Sequence, residues 1–133
     1  MPITKGFKQL LAEANAQVET LSPADAIALH GREDVVFVDL RDPRELDREG
    51  RMPKAFSCTR GMLEFWIDPE SPYHKTVFAE DKKFVFFCAG GWRSALAAKT
   101  AKDMGLEKVA HVEGGFGEWK KAGGPAEAPK PRT

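Results

Sequence analysis

The chain has 133 residues, of which 42% are hydrophobic and 30% are charged, a balance that suits one compact globular domain. Its 20 Lys and Arg residues equal its 20 Asp and Glu residues, so the formal net charge is zero. We therefore expect neither a nucleic-acid partner nor an anionic membrane partner, because both are attracted by an excess of positive charge.

Helix and strand signals alternate from the start of the chain. A helix is predicted over residues 5–14, and a weak strand follows near residues 18–20. Ser22 then has the position of an N-cap and Pro23 that of the first helical residue, which predicts a helix up to Leu29. The continuous β-branched and aromatic run at residues 35–38 predicts a strand that is covered on both faces.

The same alternation continues to the C-terminus. The helix after residue 94 is rich in helix-forming residues, with Ser94 as its predicted N-cap and Gly105 as its left-handed C-terminal residue. The remaining elements are predicted in this order: helix 43–49, strand 55–57, helix 62–67, strand 84–87, helix 94–104, strand 109–112 and helix 117–122.

This order of elements predicts the α/β class, with an open parallel five-stranded sheet flanked by helices on both faces. We assign residues 1–15 to an N-terminal helical extension and residues 16–125 to the main domain. From Gly123 onward the chain contains three prolines and almost no large apolar side chain, so we expect residues 126–133 to form a disordered tail.

Cys88 comes directly after the most apolar predicted strand, where ligands of an open α/β sheet collect. Ala89, Gly90 and Gly91 follow it and leave room for the backbone to curl around the sulfur with its N–H groups turned inward. Such donors, together with the start of the next helix, favour the thiolate. The pattern predicts a nucleophilic cysteine; the alternative is a small buried residue at the end of a strand.

The other titratable side chains give weaker signals. Cys58 is interpreted as a packing residue, with a redox partnership with Cys88 as the alternative. The three histidines, His30, His74 and His111, show no metal-ligand spacing, so we expect no metal site. The N-terminus has no signal-peptide pattern and no segment approaches the ~20 apolar residues of a membrane span, which favours a cytoplasmic protein without a membrane partner.

The segment Cys88-Ala89-Gly90-Gly91-Trp92-Arg93-Ser94 resembles the active-site loop of rhodanese-domain sulfurtransferases, where cysteine, glycine, arginine and serine recur at this spacing. Three further segments resemble motifs of the same family in the same order, from residue 18 to residue 125: residues 38–45, 50–55 and 111–125. Arg51 and Lys54 depart from the histidine and glycine that are usual in the second of these. The resemblance implies a rhodanese-like fold.

The resemblance also implies a two-step sulfur transfer that needs no cofactor. Cys88 would take a sulfane sulfur from thiosulfate or a persulfide donor and pass it to a thiol, to cyanide or to a protein cysteine. Backbone N–H groups of residues 89–93 would stabilise the persulfide. The expected substrate-binding residues are Ala89, Gly90, Gly91, Trp92, Arg93 and Arg60, and the expected supporting residues are Asp39, Arg41, Glu45 and Ser94.

Several of these residues have a second interpretation. Arg93 is expected to bind the anionic end of the donor, with a surface salt bridge as the alternative, and Arg60 is a second anion-binding candidate or a surface residue. Trp92 either shields the persulfide or contacts a partner protein. Asp39 and Arg41 are expected to form a structural ion pair near the loop, and Glu45 is expected to join it.

The length of the loop bears on the substrate. Phosphatases of this scaffold place arginine six positions after the cysteine, whereas here Arg93 is at position five and Ser94 at position six. The shorter loop favours a single sulfur atom over a phosphoryl group. A phosphatase or arsenate reductase is therefore the less favoured alternative, and a rhodanese-like docking or sulfur-carrier module without turnover is another.

Overall fold

The computed structural model describes residues 2–129 as alternating helices and strands, as expected. Six α-helices and five strands are present in this part of the chain. In chain order they are α1 (Phe7–Gln17), β1 (Glu19–Leu21), α2 (Pro23–Leu29), β2 (Val35–Asp39), α3 (Pro43–Glu49), β3 (Phe56–Ser57), α4 (Leu63–Ile67), β4 (Lys83–Phe87), α5 (Trp92–Asp103), β5 (Val109–Val112) and α6 (Gly115–Lys121). Short 3₁₀ turns at Arg60–Met62 and Thr76–Ala79 complete the set.

The five strands form one parallel sheet in the order β1-β5-β4-β2-β3. The predicted open α/β architecture is therefore confirmed. β4 lies at the centre of the sheet, and its last residue Phe87 pairs with Asp39 at the end of β2. Because parallel strands end at the same edge, the residues that follow β2, β4 and β5 lie close together there.

Each face of the sheet buries its own apolar cluster, because successive strand residues point to opposite faces. Along β4, Phe84 and Phe86 pack with the side of the sheet covered by α4 and α5, and Val85 and Phe87 pack with the side covered by α2 and α6. All four side chains are at most 1% exposed. Such double coverage explains why this strand is nearly uniform in apolar character.

The N-terminal helix α1 is longer than predicted and packs against α5. It runs from Phe7 to Gln17, whereas the helix was predicted over residues 5–14. Ala14 is fully buried, and the Asn15 side chain is hydrogen-bonded to His111 of β5. Helix α1 therefore contributes Ala14 to the interior of the domain, and its Asn15 side chain contacts β5.

The C-terminal segment is ordered beyond the predicted boundary at residue 126. Glu127 pairs with Arg51 in an antiparallel bridge, with backbone N–O distances of 3.1 and 2.7 Å. Nε1 of the buried Trp119 also donates to the carbonyl of Pro125 at 2.9 Å. The predicted tail thus starts too early, and the rest of that prediction, residues 130–133, lies outside the described residues.

None of the helices within residues 2–129 is long and apolar enough to cross a membrane.

Candidate active site

Cys88 directly follows the central strand β4, at the carboxyl edge of the sheet. Its side chain is only 1% exposed. The backbone is held from the other side, since the N–H of Phe116 in α6 donates to the Cys88 carbonyl at 2.8 Å. The thiol is therefore fixed where the loop to α5 begins.

The loop after Cys88 turns one backbone donor onto the sulfur. Gly91 adopts a left-handed conformation with φ of 101°, and its N–H donates to Cys88 Sγ at 3.1 Å. A Cβ at this position would lie 3.3 Å from the backbone nitrogen of Gly114, so both the φ angle and the space favour glycine. The N–H of Gly91, one of the predicted donors at residues 89–93, is therefore hydrogen-bonded to the sulfur before any substrate binds.

Gly91 is also the N-cap of α5, and the helix begins at Trp92. The predicted capping role of Ser94 is wrong, because Ser94 lies inside the first turn and is fully buried. Its hydroxyl points to the active-site thiol instead, and Cys88 S–H donates to Ser94 Oγ at 3.7 Å. The start of α5 therefore contributes a side-chain hydroxyl as well as a backbone amide to the sulfur.

Gly114 and Gly115 connect β5 to α6, and Gly115 also allows α6 to pack closely against the backbone of Cys88. Gly115 has φ of 62°, and a Cβ there would lie 2.5 Å from the carbonyl oxygen of Cys88. Helix α6 consequently begins two residues earlier than predicted, and it packs directly on the backbone of Cys88 and Ala89. The N–H of Gly117 adds a hydrogen bond to the Ala89 carbonyl at 3.3 Å.

A pocket of about 430 Å³ opens at the loop and is lined by Cys88, Gly90, Trp92 and Arg93. The structure thus brings together most of the predicted loop residues around one cavity. Trp92 is 63% exposed and its ring lies 4.9 Å from that of Phe7 in α1, measured between centroids. The two rings form an exposed aromatic pair, of which Trp92 lines the pocket.

Arg93 is held at the pocket by Glu45 of α3. Its two terminal nitrogens donate to the two carboxylate oxygens at 2.7 and 2.9 Å. This hydrogen bonding by Arg93 is the main reason that the pKa of Glu45 is lowered. Glu45 therefore pairs directly with the loop arginine. It does not form the hydrogen bond to the Asp39–Arg41 pair that is expected of a network member, and the charge of Arg41 makes only a small contribution to its lowered pKa.

Asp39 and Arg41 form the expected ion pair, with side chains 2% and 1% exposed. The guanidinium donates to both carboxylate oxygens, at 3.0 Å and 2.8 Å, and to the carbonyl of Gly50 at 3.0 Å. Its Cζ lies 4.3 Å from the centroid of the Phe116 ring. The pair thus links the end of β2 to the turn after α3 and to α6, whereas we expected it to brace the cysteine loop.

Arg60 is held by α4 and α5 rather than by the cysteine loop. Its guanidinium forms an ion pair with Glu64 at 2.9 Å and donates to Thr100 Oγ1 of α5 at 3.5 Å. It is not among the residues that line the Cys88 pocket. The geometry matches the alternative interpretation, a surface residue that connects the 3₁₀ turn to α4 and α5.

A polar chain behind Cys88 was missed by the sequence analysis. Ser94 Oγ lies 3.0 Å from His111 Nδ1, and His111 Nε2 lies 2.7 Å from Asn15 Oδ1. His111 is only 3% exposed, and this burial lowers its pKa. The only sequence signal is that His111 occupies one position of the otherwise apolar run at residues 109–112, which marks it as a buried polar group in need of partners.

No group of three or more His, Cys, Asp or Glu side chains in residues 2–129 is arranged to hold a metal ion.

Cys58 differs from Cys88 in its surroundings, and this difference predicts selective alkylation. Cys58 is fully buried in the apolar cluster, and burial raises its pKa to about 12. Because only thiolates react with iodoacetamide, we expect modification of Cys88 but not of Cys58 in the folded protein at about pH 8. Peptide mapping by mass spectrometry measures this, and both thiols should react in urea. Equal modification of the two in the folded state would contradict it.

Comparisons with known proteins agree with this geometry. The rhodanese-like domain model matches residues 22–122. A structure from Rhodopseudomonas palustris, a protein of unknown function described as a possible tyrosine phosphatase, is 69% identical, with a TM-score of 0.93 over 96% of this chain and 98% of that one. A single-domain sulfurtransferase of Saccharomyces cerevisiae is 25% identical, with a TM-score of 0.64 over 98% of this chain and all of that one (100%).

Among curated proteins, a tRNA uridine(34) hydroxylase of Cronobacter sakazakii is 27% identical over 122 residues, which are 90% of this chain and 33% of that protein. The chain spans between 33% and 54% of the length of the first curated relatives that it matches. The family model covers most of the chain, and the fold is the one that the resemblance implied. The chain belongs to the rhodanese-like domain family.

Proposed function

We propose that the protein is a sulfurtransferase that carries a sulfane sulfur on Cys88. The observation that carries this proposal is the placement of Cys88 Sγ at an open pocket, 3.1 Å from the N–H of Gly91. That N–H can donate to a sulfur anion, and the thiolate is the nucleophilic form of cysteine. The likeness to a yeast single-domain sulfurtransferase supports the same chemistry.

The reaction takes two displacements. In the first, the Cys88 thiolate attacks the outer sulfur of thiosulfate; a new S–S bond forms, the S–S bond of thiosulfate breaks, and sulfite leaves with the electron pair. A persulfide anion then remains on Cys88. In the second, cyanide or an acceptor thiolate attacks the terminal sulfur and carries it away, which restores the thiolate. No electron is gained or lost overall, so no redox cofactor is required.

The residues around the pocket would have three roles: stabilisation of the persulfide, binding of the donor and exclusion of water. Gly91, with the neighbouring amides of Ala89, Gly90 and Trp92, would stabilise the terminal persulfide anion. Arg93 lines the pocket while it is fixed by Glu45, so it offers a positioned cation for an anionic donor. The exposed ring of Trp92 would cover the loaded sulfur against water.

Two assays on the wild-type protein test this proposal. With thiosulfate as donor and cyanide as acceptor, we expect thiocyanate to form catalytically. With an aryl phosphate, we expect no hydrolysis above background. Aryl phosphate turnover without thiocyanate formation would refute the proposal.

The phosphatase alternative deserves that direct assay because the 69% identical structure is described as a possible tyrosine phosphatase. The position of Arg93, five residues after Cys88, weighs against it, since the loop is one residue shorter than that of cysteine phosphatases on this scaffold. A docking or carrier module without turnover is the other alternative. It would accept sulfur from thiosulfate but form no more thiocyanate than one equivalent per protein.

A further inference from the structure

A continuous hydrogen-bonded chain leads from the active-site thiol through the interior to the surface. Cys88 Sγ lies 3.7 Å from Ser94 Oγ, and Ser94 Oγ lies 3.0 Å from His111 Nδ1. These three side chains are at most 3% exposed. On the far side of the imidazole, Nε2 lies 2.7 Å from Asn15 Oδ1 and 3.2 Å from Thr20 Oγ1.

The partners of the imidazole fix its tautomer and the direction of the chain. Asn15 Oδ1 can only accept, so His111 Nε2 carries a proton and donates it. In the neutral ring, Nδ1 is therefore an acceptor, and the Ser94 hydroxyl donates to it. Ser94 Oγ is then free to accept from the Cys88 S–H, so every group in the chain has a partner.

Every group of the chain also has a hydrogen-bond partner when Cys88 is a thiolate and His111 is an imidazolium. With a proton on both ring nitrogens, His111 Nδ1 donates to Ser94 Oγ and the Ser94 hydroxyl donates to the Cys88 thiolate. The Gly91 N–H continues to donate to the sulfur. The two states differ only in the position of two protons, and neither leaves a buried polar group unpaired.

We propose that His111, through Ser94, takes up the proton of the Cys88 thiol and holds it while the thiolate acts. The S–H bond breaks as an O–H bond forms at Ser94 Oγ, and the original Ser94 O–H bond breaks as an N–H bond forms at His111 Nδ1. The sulfur gains one negative charge and the imidazole one positive charge. His111 touches neither substrate nor sulfur, so it is a positioning residue.

The outer end of the chain explains how the proton could exchange with water. Asn15 and Thr20 are exposed residues, and with His111 they line a second pocket of about 410 Å³, which shares Gly90 and Trp92 with the Cys88 pocket. The outer nitrogen of the imidazole therefore reaches solvent through Asn15 and Thr20, which do not line the pocket where Cys88 would meet its substrate.

The charges near His111 are few. Its hydrogen-bond partners from α1, β1 and α5 are Asn15, Thr20 and Ser94, none of which is charged. The titratable groups nearby are Cys88 and Glu113, which lines the same outer pocket. Burial lowers the pKa of His111, so the ring starts neutral near pH 7. Burial disfavours the imidazolium, so a second proton on the ring depends on the negative charge that forms on Cys88.

This inference rests on the proposed function for the use of the thiolate, but it can be tested without any sulfur donor. The rate of Cys88 alkylation by iodoacetamide is measured against pH by peptide mapping. An opposite charge within about 4–6 Å shifts an ionisation by about one pH unit or more, and only the Ser94 hydroxyl lies between the Cys88 sulfur and the His111 ring. We therefore expect His111→Gln to slow alkylation about tenfold at about pH 6.5 and to leave the rate at high pH unchanged.

A matched control and an opposite variant sharpen the test. His74→Gln replaces a histidine whose Nδ1 contacts the carbonyl of Trp66, and its alkylation profile should match the wild type. Asn15→Asp places a carboxylate against Nε2–H, which favours the imidazolium, so its profile should move to lower pH than the wild type. A His111→Gln profile that coincides with the wild type would overturn the inference.

The imidazole provides a second readout if His111→Gln does not fold. The ring protons of His111 are titrated by NMR in the wild type and in Cys88→Ser. Coupling is reciprocal, so removal of the thiolate should lower the pKa of His111 further. Identical titrations in the two proteins would overturn the inference. Absence of thiocyanate formation alongside the expected alkylation shift would instead refute the proposed function alone.

Discussion

Replacement of Cys88 by serine is expected to reduce thiocyanate formation from thiosulfate and cyanide by at least about 10³-fold. The hydroxyl that replaces the thiol is almost never ionised near neutral pH, and an oxygen nucleophile cannot form a persulfide. The size of the side chain changes little, and the Gly91 N–H keeps an acceptor at the same place. The loss should therefore appear in kcat, with the fold and the thermal unfolding midpoint nearly unchanged.

The other cysteine is the matched control for this experiment. Cys58 lies in the same apolar cluster and is as buried as Cys88, but it is not among the residues that line the Cys88 pocket. Cys58→Ala should keep most of the turnover, at a modest cost in stability from the lost packing. Turnover that survives in Cys88→Ser, or that disappears in Cys58→Ala while the protein remains folded, would contradict the assignment of Cys88 as the sulfur carrier.

Asp39→Asn is expected to lower the free energy of unfolding by about 3–5 kcal/mol. The substitution keeps the shape of the side chain but removes the negative charge that compensates Arg41, whose guanidinium is 1% exposed. A buried cation without its counterion costs far more than the mutual attraction of an exposed pair provides. Urea unfolding at neutral pH, followed by circular dichroism, measures the difference from the wild type.

An exposed pair of the same chemistry is available as a control. Arg32 and Asp34 also form two hydrogen bonds at 2.9 Å, but their side chains are 58% and 61% exposed. Asp34→Asn should leave the free energy of unfolding close to that of the wild type, because solvent screens an exposed pair. If Asp39→Asn lowers the free energy of unfolding as little as Asp34→Asn does, the buried Asp39–Arg41 pair is not needed for stability, and the prediction is wrong.

The fold could be predicted from the sequence because its elements depend on local patterns. Helices α2 and α3 begin at Pro23 and Pro43 as expected, each after a capping side chain that bonds back to the backbone. Strand β5 has the predicted limits, since its apolar run is bounded by polar residues. Boundaries that depend on distant contacts were less accurate. Helix α6 begins at Gly115 because that glycine fits against the Cys88 carbonyl.

The candidate site was predicted only in part. The loop from Cys88 to Arg93 is continuous in sequence, so its spacing indicated that these residues would surround one pocket. The partners of Arg93 and Ser94 could not be predicted in this way, because Glu45 and His111 are brought to them by packing across the sheet edge. A serine that caps a helix and a serine that faces inward from its first turn have the same sequence pattern.

The partners of Arg60 and of the C-terminal segment could not be predicted from the sequence either. Arg60 was placed at the pocket mouth by resemblance alone, and its position depends on Glu64 and Thr100. The prolines after Gly123 indicated a lack of regular structure, but they gave no sign that Glu127 pairs with the turn after α3. Both outcomes are set by contacts between segments that are far apart in the chain.

The most direct test of Cys88 as a sulfur carrier is the intact mass of the protein after incubation with thiosulfate and removal of the excess. We predict that the wild type and Cys58→Ala each gain the mass of one sulfur atom, that peptide mapping places it on residue 88, and that cyanide removes it. Cys88→Ser should gain nothing. A wild-type protein that stays at its original mass, or sulfur found on Cys58, would contradict the account.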